Sequence, residues 1–307
     1  MIPHTTHTDR DSIQDWFRAL QLDICEQLEA ADGVGTFTED AWERPGGGGD
    51  YARVLEGQRI EKGGVNFSAV HGTLPQNIRD ALQVNAGDFL ATGVSIVQHP
   101  HNPHVPIIHM NVRYFELSDG TYWFGGGIDL TPHYVRPADA RWFHEQLKAV
   151  CDRYDEGYYP RFKQWADDYF YVRHRQETRG VGGIFFDRMH AEDKASIWQF
   201  VQEVGNAFGD IYTHFLATYS DLPYTATEQQ WQRLRRGRYV EFNLVWDKGT
   251  KFGLDTDGRT ESILMSLPPM ASWVYDHRPV PGSAEADTLA WLRKGVDWVN
   301  LPTDATP

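Results

Sequence analysis

Cysteine is scarce in this 307-residue chain, which has only Cys25 and Cys151. Neither lies in a pairing motif, so a disulfide framework, a Cys-x-x-Cys-His haem attachment and iron–sulfur spacing are excluded; two buried, reduced thiols are expected. Basic charge is also short. Lys and Arg total 29 against 43 Asp and Glu, a net charge of −14. That excludes the basic face of a nucleic-acid binder, and any anionic ligand must be captured by local arginines against an unfavourable overall field. No run of about eighteen apolar residues occurs, so the sequence offers no transmembrane helix. The start, MIPHTTHTDRDS, is polar and has no apolar signal segment. Residues 1–11 read as a flexible tail, and the protein as cytoplasmic. The glycines of 42-WERPGGGGDYARVLEG-57 are followed by no Gly-Lys-Ser/Thr and lack a strand–glycine–helix context, so P-loop, nicotinamide and flavin dinucleotide sites are excluded. Flexible backbone, in the manner of a lid over a ligand, is the expectation there.

Histidine is concentrated instead. Four of the thirteen, His99, His101, His104 and His109, fall in 93-GVSIVQHPHNPHVPIIHMNVRYFEL-117. The surrounding pattern predicts a β-meander: a strand ending near His99, a turn at HPHNP, a second strand over 105–117, a turn at 118–120, and a third strand over 121–130. Apolar stripes predict helices over 12–31 (capped by Ser12), 138–156, 160–176, 193–219 and 284–299. The segments 238-RYVEFNLVWD-247 and 260-TESILMSL-267 read as a further strand pair. Strands and helices come in separate blocks, with no repeat or linker. This implies one α+β domain over 1–307, with a large, mostly antiparallel sheet sandwiched between helices.

Side chains alternate across a strand, so His109, Asn111 and Arg113 share one face with Ile107 and Phe115. A ligand cavity floored by these polar groups explains them better than a solvated sheet face, because their flanking positions are apolar. Ser95 and His99 share a face of the preceding strand, and a turn centred near Asn102 pairs Ser95 with His109. His101 and His104 read as turn residues. His144 and His174, at the edges of helical stripes, are candidate further ligands for a divalent cation, although their spacing matches no short zinc motif and a hydrogen-bonded role stays open. Asp129, after three glycines in 123-WFGGGIDLTP-132, is either a ligand contact or a turn aspartate. Arg233, Arg235, Arg236 and Arg238 form either a salt-bridge network or a carboxylate-binding cluster.

Five long blocks carry a resemblance: EKGGVNFS (61–68), GVSIVQHPHNPHVPIIHMNVRYF (93–115), WFGGGIDLTP (123–132), FKQWADDYF…HRQETRGVGGIFFD (162–187) and RRGRYVEFNLVWDKGTKFGL…GRTESILMSLPP (235–269). Over nearly its whole length the chain resembles the aerobic, oxygen-dependent coproporphyrinogen-III oxidases of haem biosynthesis. The resemblance implies oxidative decarboxylation of two propionates of coproporphyrinogen III to vinyls, giving protoporphyrinogen IX, with dioxygen as co-substrate. It implies a homodimer through about 239–273 and a deep cavity for the macrocycle. It implies metal ligands at His99, His109, His144 and His174, with His109 as proton donor. Substrate contacts map to Ser95, Asn111, Val112, Arg113, Asp257, Gly258 and Arg259. Departures from the family pattern are His133, Arg188, Lys248 and Asp257. No flavin, haem or nicotinamide is implied, since the electron-rich porphyrinogen can itself supply the reactivity towards dioxygen. Asp129 is then expected to engage the pyrrole N–H groups, with a histidine managing proton transfer. A non-catalytic tetrapyrrole carrier and a metal-dependent hydrolase are the rival readings.

Overall fold

The structure, a computed structural model, describes residues 1–74, 76, 79–80, 84, 87–255, 258–302 and 305–307. Helix α1 (Arg10–Asp32) begins two residues earlier than the apolar stripe suggests. Asp9 caps it by accepting the Ser12 backbone N–H at 3.0 Å, so the capping residue is Asp9 rather than Ser12. The left-handed Gly33 ends it, as expected. Strands β1 (Thr38–Glu43), β2 (Gly48–Leu55), β3 (Ile60–Thr73), β4 (Asp88–Pro100), β5 (Ile107–Leu117) and β6 (Tyr122–Thr131) then run as an antiparallel meander. The glycine run does not form a lid. Gly46 and Gly47 take φ +118 and +122 in the turn of the β1–β2 hairpin, a conformation other residues resist.

Helices α2 (Pro137–Asp152) and α3 (Tyr158–Tyr169) follow, then a small separate hairpin of β7 (Tyr171–Val172) and β8 (Glu177–Thr178). The second predicted helix therefore stops before His174, which lies in the β7–β8 turn. Strand β9 (Gly182–Met189) pairs with β6 and completes a seven-stranded sheet in the order β1-β2-β3-β4-β5-β6-β9. Helix α4 (Lys194–Tyr219) packs with α1, α2 and α3 on one face of this sheet. There Val94, Ile96, Ile108, Met110, Val112, Phe124, Ile128 and Phe186 are fully buried. Each such side chain contributes about 1.5–3 kcal/mol by leaving water, which makes this layer the main source of stability. The first residues are tied to it: Asn206 and Gln202 of α4 donate to the Ile2 and Thr5 carbonyls at 3.0 and 2.9 Å, and Trp16 donates to the Pro3 carbonyl.

The segment read as a strand over 238–247 is the end of a long helix, α5 (Ala226–Val245). Its start carries a capping box of Thr225 and Glu228, and Trp231, Leu234, Arg235, Arg238 and Phe242 are buried at helical spacing. Period-two alternation over ten residues is too short a window to reveal that. Likewise 260–267 holds a short helix, α7 (Thr260–Leu264), after α6 (Lys248–Asp255). The terminal helix α8 (Ala284–Trp291) ends well short of 299. Helix α5 lies on the second face of the sheet, where Tyr239 packs on Val97 and Ile107. No helix is long and apolar enough to cross a membrane among the described residues.

Candidate active site

The alternation expected along β5 holds. Ile108, Met110, Val112 and Tyr114 are buried in the helical core, while His109, Asn111 and Arg113 are half-buried on the second face. The register differs by two residues from the turn-based expectation: Ser95 pairs with Asn111, and Val97 with His109. A two-residue slip preserves the face, so Ser95 still flanks the same surface. Val112 points into the core, so only its main chain can meet a ligand on this side.

His109 is paired across the ladder with Asp129 on β6, and its Nδ1 lies 2.7 Å from Asp129 Oδ1. A carboxylate only accepts, so Nδ1 carries a proton, and it is Nε2 that a neutral ring held this way presents bare. Among the described residues Nε2 has no hydrogen-bond partner, and the side chain is 22% exposed. Asp129 itself is buried, and Arg179 donates to both its oxygens at 2.8 and 2.7 Å. Burial alone would raise the Asp129 carboxyl, but the Arg179 guanidinium, helped by His109, holds it below the ordinary carboxylate range. Arg179 is buried too, donates to Asn243 at 2.9 Å, and sits among the rings of Phe170, Tyr239 and Phe242. Asp129 is thus enclosed by its two partners rather than open to a macrocycle. The pyrrole contact expected of it is not available in this arrangement, and its place is behind His109.

Arg113 divides its fork, donating to Asn111 Oδ1 at 2.7 Å and to Asp187 Oδ1 at 2.9 Å. Gly125, opposite Arg113 in the ladder, makes this possible: a Cβ there would lie 2.6 Å from Asp187 Oδ1 and 2.8 Å from Arg113 Nε. Arg259 reaches across to Asp40 on β1. The Gly258 N–H donates to the Gly253 carbonyl at 2.9 Å. Asp257 lies outside the described residues. Arg235, Arg236 and Arg238 belong to a salt-bridge network with Glu177, Glu61 and Glu241, not to an open anion site.

The four candidate metal ligands do not converge, and among the described residues no three His, Cys, Asp or Glu side chains come together to hold an ion. His99 is buried and its Nε2 donates to the Ser266 carbonyl at 2.8 Å. His144, on α2 in the layer over the opposite face, has both nitrogens engaged, by Tyr159 and the Val181 carbonyl. Burial pushes it down to about 3. His174 donates to Glu241 at 2.7 Å and accepts from Trp246 at 2.9 Å. His144 and His174 have both ring nitrogens engaged and His99 and His109 one each, with different partners in different places, so the donor set does not fit a shared divalent cation. The departure His133 is buried beneath α5, its carbonyl accepting from Trp231 Nε1 at 2.6 Å.

Arg179 and Asp187 escaped the sequence reading. The one local signal for Arg179 is its place just before the glycines that open β9, where a long cation can turn back under the sheet.

A family model described as coproporphyrinogen III oxidase matches residues 12–298. The chain belongs to the coproporphyrinogen III oxidase family. It is 44% identical over 94% of its length to coproporphyrinogen-III oxidase 1, chloroplastic, of Arabidopsis thaliana, covering 79% of that protein. It is 45% identical, again over 94%, to the oxygen-dependent coproporphyrinogen-III oxidase, chloroplastic, of Glycine max, covering 80%. The matched span includes every strand of the sheet.

Proposed function

We propose that this oxidase converts two propionates of coproporphyrinogen III to vinyl groups with dioxygen, giving protoporphyrinogen IX. Family membership sets the substrate class. The observation that carries the chemistry is the bare Nε2 of His109, oriented by Asp129 and backed by the Arg179 charge. Per propionate, the –CH2–CH2–COO⁻ chain loses carbon dioxide and a hydrogen with its electron pair. Dioxygen accepts the two electrons with two protons and leaves as hydrogen peroxide. In this reading His109 Nε2 takes the pyrrole N–H proton, which raises the electron density of the ring, and returns a proton later as imidazolium. Asp129 keeps the ring oriented and stabilises the imidazolium that forms. No step is routed through a metal, because the candidate ligands are dispersed.

The test is an assay of the purified protein with coproporphyrinogen III in air and under argon. Vinyl-bearing product and carbon dioxide should form only in air. Binding without conversion in air would favour the carrier reading, and equal turnover under argon would refute oxygen as the acceptor.

We further infer a homodimer through the 239–273 region and its continuation. It leaves Leu244, Val245, Met270, Trp273, Val274 and Tyr275 exposed, an apolar run suited to cover by a second copy. Light scattering giving the monomer mass would refute it. A cytoplasmic location is supported by two buried free thiols, whereas the relatives' names are chloroplastic. Cell fractionation tests it.

A further inference from the structure

The β6–β9 ladder contains a bulge. Gly126 pairs with Phe186 and Phe124 with Met189, so Asp187 and Arg188 together oppose the single residue Gly125. Regular alternation would send Arg188 into the helical core behind Phe186. The extra residue instead keeps Phe186 and Met189 in that core and delivers both Asp187 and Arg188 to the second face. Their contacts confirm this: Asp187 meets Arg113, and the Arg188 guanidinium lies over the Trp123 ring at 5.7 Å. Arg188 adopts φ +49, a conformation that arginine enters only at a cost.

Trp123 ends a cross-strand pile of rings. Phe89 stacks on Phe115 at 5.8 Å, and Phe115 on Trp123 at 4.3 Å. Arg188 caps the pile. Ring stacking orients a guanidinium while leaving its N–H edges available. Among the described residues Arg188 has no carboxylate or carbonyl partner for those edges, and the residue is exposed. Arg113, beside it, is already shared between Asn111 and Asp187.

We propose that Arg188 is the carboxylate-docking residue of this site, holding a propionate of the tetrapyrrole while the ring reacts at His109. This rests on the function proposed above. In a protein of net charge −14 an unopposed guanidinium on the substrate face is where a multiply anionic ligand is drawn.

The experiment compares steady-state kinetics in air with fluorescence titration of the stable, oxidised coproporphyrin III, for wild type, Arg188→Ala, Arg188→Lys, Arg188→Gly and Arg153→Ala. Removing one charge-assisted contact should raise KM and the titrated Kd by on the order of tenfold, with kcat within about twofold. Arg188→Lys should recover most of the affinity. Arg188→Gly relieves the backbone and should melt higher while binding as weakly as Arg188→Ala, an outcome a purely structural arginine cannot produce. Arg153 pairs with Glu203 in the helical layer, so Arg153→Ala makes the same charge change away from the site and should leave KM alone. Unchanged KM and Kd in Arg188→Ala, or an equal rise in Arg153→Ala, overturns the proposal. Wild type that binds the porphyrin but never turns over refutes the proposed reaction instead, and the titration still decides on Arg188.

Discussion

Arg179 Nη2 lies 2.8 and 2.7 Å from the two oxygens of Asp129, and both side chains are almost completely buried. The pair sits under the sheet face with His109 as its one link to the open side. It has two separable consequences, for stability and for the tautomer of His109.

Replacing one partner strands a charge in an apolar setting. Arg179→Leu should cost about 3–5 kcal/mol, measured by denaturant unfolding, because Asp129 loses its counter-ion. The double variant Arg179→Leu/Asp129→Leu should recover much of that stability, since well-packed apolar residues often replace a buried pair without loss. Turnover should stay low in both. Recovery of turnover in the double variant would detach the pair from His109's role.

His109→Ala should lower kcat by roughly 10²–10⁴-fold, the usual contribution of a positioned acid or base. His101→Ala should stay within a few-fold, because His101 is exposed in the β4–β5 turn and its ring, among the described residues, hydrogen-bonds to the Gly57 carbonyl alone, at 3.1 Å. Circular dichroism and gel filtration establish folding before rates are compared. A fully active His109→Ala protein would falsify the acid–base assignment.

Arg113→Lys keeps the charge but cannot reach Asn111 and Asp187 together, so KM should rise while the melting temperature changes little. Gly125→Ala should do the same by a different route, pushing a methyl against both members of the pair. Wild-type KM in both variants removes Arg113 from substrate binding.

Acid should destabilise the protein from just below neutrality. Burial pushes His133 and His144 down from 6.5 to about 3. The unfolded chain therefore binds protons below about 6.5 that the folded one refuses, and stability falls with pH at up to about 1.4 kcal/mol per unit for each histidine. Against the effect of burial, hydrogen bonds from Arg175 and His174 hold Glu241 at about 2, which adds a further loss between 4.5 and that value. Thermal midpoints between pH 7 and 5 should decline, and His144→Gln should flatten the slope. A midpoint that is constant to pH 5 contradicts this.

Treatment with a strong chelator should leave both the melting curve and the rate unaltered, since the candidate ligands are held apart by their own hydrogen bonds. Activity lost on chelation and restored by a single cation would show that the histidines rearrange to bind it.

Much of this site was legible along the chain because alternation is a local property. The parity of Ile107 to Phe115 placed His109, Asn111 and Arg113 on one face, and the slip of Ser95 from His109 to Asn111 left that conclusion intact, since two residues is one full period. The same local reading failed over 238–247, where ten residues fit either periodicity and the deciding cap, Thr225 with Glu228, begins thirteen residues upstream of the segment.

By itself, then, the sequence determined an antiparallel meander, the face on which its polar residues stand, and the family. Only the tertiary structure decided what those residues do to one another. Asp129 is neutralised by Arg179 fifty residues on, and a carboxylate's partner is set by burial and distance in space, to which no local pattern is sensitive. His144 and His174, aligned with His99 and His109 by resemblance, were separated when their segments folded into different layers and each found a nearer partner. And one inserted residue in β9 turned Arg188 from the core to the substrate face, because in a ladder the side a residue faces depends on pairing as well as on its own position.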